Sequence, residues 1–296
     1  MVGSNGRLAY RRRWGERPTC SCARTRTLDR CYSLVEQGLI VQSFLPGDFA
    51  AKAFFDEHGW VLIETLDEQG VEQLRQWIDE ISSWRDEDGH WLHYREMTDF
   101  GPKLCRTENF TPFHEPIREL LTTGAMLDSA SLLMGEQAVL YKEKINYKLV
   151  GGAGYAPHQD APAYPFIDSH ISCMVAIDDA DEVNGCLEVV SGCFGEVLPM
   201  NDVGCISEIV VSRLKWELAP IRAGQTLWFH SRTPHRSGSN NSDRDRRAIY
   251  PTYNALSEGD LRDAYYEAKL EQMAKHTVGD NVQVSLIGDF QGRPVK

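Results

Sequence analysis

The sequence has no apolar run that approaches the roughly 20 residues a membrane helix needs. Its longest apolar pieces are short and strand-like, such as Cys173–Ile177. Its eight cysteines include no C-x-x-C pair, which speaks against a structural zinc site. Cys20 and Cys22 form a C-x-C with Cys31 nearby, while Cys173 and Cys186 lie in apolar runs and read as small core residues. All eight are expected to be reduced thiols. Positive charge is scarce in the body of the chain. Against 43 Asp and Glu stand 31 Lys and Arg, a net charge of −12, so nothing basic and extended is offered to nucleic acid. Internal repeats and low-complexity segments are also missing.

What is present divides the chain in two. Residues 1–43 carry eight arginines between Arg7 and Arg30 against only Glu16 and Asp29. They are expected to form an extension without a fold of its own. The alternative is an organellar transit peptide, which would change the expected cytoplasmic location. Residues 44–296 are expected to form one domain. Asp48 to His58 reads as a helix broken by Gly59, followed by the strand Trp60–Ile63. Asp67 is placed to cap a helix through Trp84, with Val71, Leu74, Trp77, Ile78 and Ile81 along one face. A polar loop from Arg85 to His114 and a helix from Glu115 to Met134 are expected next. Seven short apolar runs follow: 138–141, 145–149, 171–177, 186–190, 214–218, 226–229 and 248–253. A late helix is expected from Glu258 to His276. The pattern predicts a mainly β chain with flanking helices, its core a jelly roll.

His158-Gln159-Asp160 is an H-x-D following the turn Gly151–Gly154. In an extended segment residues i and i+2 face the same way, so both side chains can reach one ion. His235 lies 75 residues after Asp160. Two imidazoles and one carboxylate leave coordination positions open, as iron(II) oxygenases require. The alternative is two surface polar residues and a core histidine. His230, five residues before His235, competes for the second histidine position, and His170 is expected at the surface or in the core, or else facing substrate. Beyond His235 stand Ser237 and, on a return strand, Arg246. Together they suit the far carboxylate of a dicarboxylic cosubstrate. Arg244 and Arg247 are close competitors for this role.

These residues lie in segments that resemble the phytanoyl-CoA dioxygenase family, which includes the ectoine hydroxylases. The likeness runs from about Phe54 to Tyr253. It is carried by Phe54–Leu62 (FFDEHGWVL), Lys144–Lys148 (KINYK), His158–Phe166 (HQDAPAYPF), Asn184–Leu187 (NGCL) with Val190-Ser191-Gly192, and Pro234–Gly238 (PHRSG), with Arg246 eleven residues after His235. The resemblance implies a double-stranded β-helix, cupin-like, with Fe(2+) held by His158, Asp160 and His235. It also implies 2-oxoglutarate bound by Arg246, Ser237 and Asn146, with Tyr155 at an aromatic position beside it. The family's usual P-G-S-H after NGCL is here Ser191-Gly192-Cys193-Phe194, which leaves the local loop open.

The implied function is hydroxylation of a small organic substrate with 2-oxoglutarate and O₂, releasing succinate and CO₂. Desaturation, epoxidation or ring formation on a natural-product intermediate, and a non-catalytic binding module, are the alternatives. A halogenase would need an open position where Asp160 stands. The segment Tyr94 to Phe113 is expected to read the substrate. In it Lys103 and Arg106 suit an anionic group, Glu108 a cationic one, and Asn109 a polar one. Gln159 and Tyr164 are expected as pocket walls. Small polar zwitterions, ectoine-like or aminophosphonate, and apolar intermediates are the candidate substrates.

Overall fold

The computed structural model describes residues 42–86, 90–164, 166–168, 170–276 and 294–295. Residues 1–41 of the expected extension lie outside them. Residue 43 is already part of the fold: strand β1 (Ser43–Phe44) pairs with β2 (Trp60–Glu64).

Local chemistry explains the first elements. The Asp48 carboxylate accepts from the Ala50 N–H and opens helix α1 (Phe49–His58). Gly59, at φ +78°, closes it in the left-handed region, where a Cβ would also lie 2.4 Å from the Phe194 ring. Asp67 caps α2 (Glu68–Ser82) through the Gly70 N–H. Val71, Leu74, Ile78 and Ile81 are buried, and Trp77 packs half-buried beside them. Burying each such aliphatic side chain contributes about 1.5–3 kcal/mol.

The stretch expected as a polar loop from Arg85 to His114 is instead mostly a hairpin, β3 (Leu92–Thr98) and β4 (Gly101–Glu108), paired into the main sheet. Its polarity misled because buried positions on β4 carry Arg106, Thr107 and Glu108 rather than aliphatic residues. The helix expected from Glu115 to Met134 is two, α3 (Glu115–Thr122) and α4 (Gly124–Met134), broken where Gly124 takes φ +56°.

The remaining strands are β5 (Ala138–Lys148), β6 (Tyr155–His158), β7 (His170–Ala176), β8 (Leu187–Val189), β9 (Glu217–Ala219), β10 (Gln225–His230), β11 (His235–Ser237), β12 (Arg246–Ala255) and β13 (Pro294–Val295). Two apolar runs merge into β5 because the residues between them, Lys142, Glu143 and Lys144, continue the strand without apolar character. A short helix α5 (Glu208–Val211) precedes β9, and α6 (Arg262–His276) follows β12.

The strands form two sheets. The larger runs β1-β2-β10-β7-β12-β5-β4-β3-β13 and the smaller β6-β11-β8-β9. This is the expected jelly roll. Period-two alternation divides its cores. On β10, Leu227 and Phe229 join Met174, Ala176, Leu187 and Val189 in one cluster. Trp228, on the opposite face, packs with Cys173, Val175 and residues of α1 to α4 in the other. Cys105, Cys173 and Cys186 are buried thiols, as expected. Cys193 is disulfide-bonded, against the expectation of eight reduced cysteines. Among the described residues no helix is long and apolar enough to cross a membrane.

Candidate active site

His158 ends β6 and His235 begins β11, and the two are direct partners across the antiparallel pair. Asp160 lies just past β6 in an αR conformation, not an extended one. The turn, rather than strand alternation, therefore brings its carboxylate to the histidines. Its Oδ1 lies 3.8 Å from His158 Nε2 and 3.9 Å from His235 Nε2. One ligand atom from each residue falls within 4.8 Å of the other two.

The tautomers suit a metal. His158 Nδ1 sits 2.7 Å from the Ala156 carbonyl and His235 Nδ1 sits 3.0 Å from that of Thr233. A carbonyl only accepts, so each Nδ1 carries a proton and Nε2 is the ring nitrogen left to face an ion. Burial, then the neighbouring His158, holds His235 down at about 4. Asp160 is buried, but the surrounding histidines and lysines keep it ionised, well below the usual carboxylate range. Its Oδ2 accepts from Ser172 Oγ at 2.5 Å. Two imidazoles and a carboxylate, oriented by their neighbours, are a donor set that fits iron(II).

The pocket beside the triad is lined by residues of β5, β6, β7, β10, β11 and β12, and by Leu187 of β8. It encloses about 420 Å³, its mouth included. Sequence reasoning missed Lys142, Lys144, Ser172, Tyr250 and Thr252, which all line it. The signal was present as Lys142, Lys144, Asn146 and Lys148, polar residues at period two on one strand. Lys142 is 4% exposed. Burial, then Lys144, lowers it well below the ordinary lysine value.

At the other end, Arg246 is buried, donates to the Gly185 carbonyl at 3.1 Å and leaves its Nε without a partner. Ser237 Oγ accepts from Lys148 Nζ at 3.0 Å and from the Tyr155 N–H at 3.3 Å, so its own proton is available to a ligand. Lys148 also donates to the Gly185 carbonyl. Gly185, at φ +73°, keeps this corner open, since a Cβ there would lie 2.7 Å from Lys148 Nζ. Arg247 faces away, bound to Asp178 and Asp79.

The other expected site residues divide. Asn146 lines the pocket, accepting from Arg106 Nε at 3.1 Å, and Tyr155 lines it, accepting from Arg106 at 2.7 Å. Arg106 and Glu108 are buried behind it as an ion pair, with Glu108 also bonded to Lys269 of α6. These cations hold Glu108 at about 2 despite its burial. Tyr164 packs on His170 and under Lys142. Arg106, Glu108 and Tyr164 are thus not among the residues that line the pocket, and neither are three others. Gln159 points away, its amide bonded to the Glu196, Arg232 and Leu198 backbone. Lys103 is exposed over Phe100, and Asn109 is tied to Arg262 and the His90 carbonyl. His230, the competing histidine, packs on Phe194 and accepts from the Arg232 N–H. The departing Ser191-Gly192-Cys193-Phe194 segment is thus seated against His58, Gly59 and His230, outside the triad.

Comparison with known proteins agrees with this architecture. The phytanoyl-CoA dioxygenase (PhyH) family pattern matches residues 55–248. A methylphosphonate hydroxylase of Gimesia maris is 45% identical over 82% of this chain and 95% of its own. A 2-aminoethylphosphonate dioxygenase from an uncultured bacterium is 39% identical over 75% and 87%. Among solved structures, EctD from S. alaskensis, with 2-oxoglutarate and 5-hydroxyectoine, superposes with a TM-score of 0.62 at 18% identity, covering 78% of this chain and 82% of that one. The chain belongs to the phytanoyl-CoA dioxygenase (PhyH) family and is a 2-oxoglutarate-dependent non-haem iron dioxygenase that hydroxylates a small organic substrate.

Proposed function

We propose that the protein hydroxylates a small phosphonate, with His158, Asp160 and His235 holding the iron and Arg246, Ser237 and Asn146 holding 2-oxoglutarate. The observation that carries the substrate class is the charge of the pocket. Two lysines, Lys142 and Lys144, line it, against one carboxylate, Asp160, which the metal would neutralise. A doubly charged oxyanion complements that arrangement. Two relatives named for phosphonate substrates support the same reading.

When bound, iron(II) with 2-oxoglutarate and O₂ supplies the oxidation that places a hydroxyl on carbon and yields succinate and CO₂. The chain supplies the rest. Ser172 orients Asp160, and the Ala156 and Thr233 carbonyls fix the two imidazoles. The buried Arg246 guanidinium, with an unpartnered Nε, suits the far carboxylate of the cosubstrate, and Ser237 Oγ donates to it. Phe229 and Leu187 keep the reacting end of the pocket apolar and poor in water.

The test is succinate release from 2-oxoglutarate with iron(II) across alkyl- and aminoalkylphosphonates, ectoine and apolar compounds. Stimulation by at least one phosphonate well above the others is expected. Stimulation only by a substrate without an oxyanion would overturn the substrate class.

A further inference from the structure

Lys142 carries a buried amino group for which the described residues supply no acceptor. Among the described residues no hydrogen bond or ion pair holds it, and its Nζ lies 4.7 Å from the Tyr164 ring centroid. Burying an unpaired charge is costly, and a chain keeps one only where something else completes it. Two neighbours share the condition. Tyr141 Oη and His170 Nε2 are both buried without a hydrogen-bond partner. All three surround one ring: Tyr141 lies 5.7 Å and His170 4.8 Å from Tyr164 between centroids. Lys142 also lines the pocket that contains the triad.

The acids tell the complementary story. Asp160 is the only carboxylate among the described residues that line the pocket. Glu108, next behind it, is taken by Lys269 and Arg106, and Glu143 by Arg262 and Thr111. Among the described residues, no acid other than Asp160 lines the pocket to meet a substrate ammonium.

We propose that Lys142 forms the oxyanion-binding subsite, and that the site selects phosphonates without an ammonium group. This rests on the phosphonate reading above. It names the residue that determines specificity and divides the substrate class. An aminoalkylphosphonate would bring a cation into a pocket that already holds two lysines and has no acid to offer it. A negatively charged group pairs Lys142, which lines the pocket.

Propylphosphonate and 2-aminoethylphosphonate have the same number of heavy atoms and differ by a methyl against an ammonium, so they separate charge from size. Each is titrated calorimetrically into enzyme loaded with iron(II) and 2-oxoglutarate without O₂. Wild type is expected to bind propylphosphonate about 10-fold or more tightly than 2-aminoethylphosphonate. Lys142→Met should weaken propylphosphonate about 30-fold or more, and Lys142→Arg should recover part of it. The visible absorption of the iron–2-oxoglutarate complex should be unchanged in both. Lys142→Met should also raise the unfolding midpoint, because a buried amino group without a hydrogen-bond partner is removed, which a lysine holding the fold together would not do. Undiminished binding to Lys142→Met, or tighter binding of 2-aminoethylphosphonate to wild type, overturns the proposal while the phosphonate reading stands. If wild type binds neither compound nor methylphosphonate, the phosphonate reading itself falls.

Discussion

His235 stands directly opposite His158 across the β6–β11 pair, and each ring gives its Nδ1 to the carbonyl two residues before it. The pair is therefore set by backbone, with each imidazole held against its own strand. Asp160 is held differently, through the side chain of Ser172.

That difference makes the first prediction. His158→Ala, Asp160→Ala and His235→Ala should each abolish succinate formation and iron binding, with circular dichroism unchanged. Ser172→Ala removes only the orienting bond. It should lower metal affinity by about 10- to 100-fold and leave activity recoverable at high iron concentration. Wild-type affinity in Ser172→Ala would show that Asp160 needs no such support.

Arg246 and Arg247 are adjacent and face opposite ways, one buried, the other on Asp178. Arg246→Ala should weaken 2-oxoglutarate by about 2–5 kcal/mol, or roughly 30-fold and more, since the far carboxylate would be left buried and unpaired. Arg246→Lys should recover only part, because an ammonium lacks the planar fork. Arg247→Ala should leave cosubstrate affinity alone and cost up to about 1 kcal/mol of stability. A cosubstrate titration on all three proteins decides; the large effect in Arg247→Ala would reverse the assignment.

Lys148 brings a pH dependence. Burial, then the neighbouring Arg246, pushes it down to about 7. It touches Ser237, so a carboxylate bound there favours the ammonium form. Cosubstrate affinity should be greatest below pH 7 and decline as pH rises through about 7, and Lys148→Met should flatten the profile. For folding the sign is the same kind of linkage. The folded value lies below the unfolded one, so the cost of the buried charge is full below pH 7 and is relieved as pH rises from about 7 to about 10. A cosubstrate profile that rises across neutrality would exclude Lys148 from the carboxylate corner.

Glu108 and Lys269 tie α6 to the barrel as a pair almost wholly shielded from water. Removing one partner strands the other. Lys269→Met should destabilise the fold by about 3–5 kcal/mol, and Glu108→Gln with Lys269→Met should restore much of it. Thermal unfolding of the single and double variants measures the coupling, and additive losses would refute it.

The sequence alone determined what depends on local chemistry. Asp48 and Asp67 announce their helices because a carboxylate caps N–H groups two or three residues away. The apolar face of α2 is legible at helical spacing, and the triad and Arg246 are legible as motif residues at fixed separations. Only the tertiary structure decided which polar residues face inward. The interior of β4 and β5 is built from Arg106, Glu108, Lys142, Lys144 and Lys148, and a charged interior reads along the chain as solvent-exposed loop. Those charges are sustained by partners distant in sequence, Lys269 for Glu108 and Ser237 for Lys148. For Lys142 the described residues supply the Tyr164 ring but no hydrogen bond or ion pair, and no spacing rule along the chain could have shown that, because it depends on what the other strands bring to it.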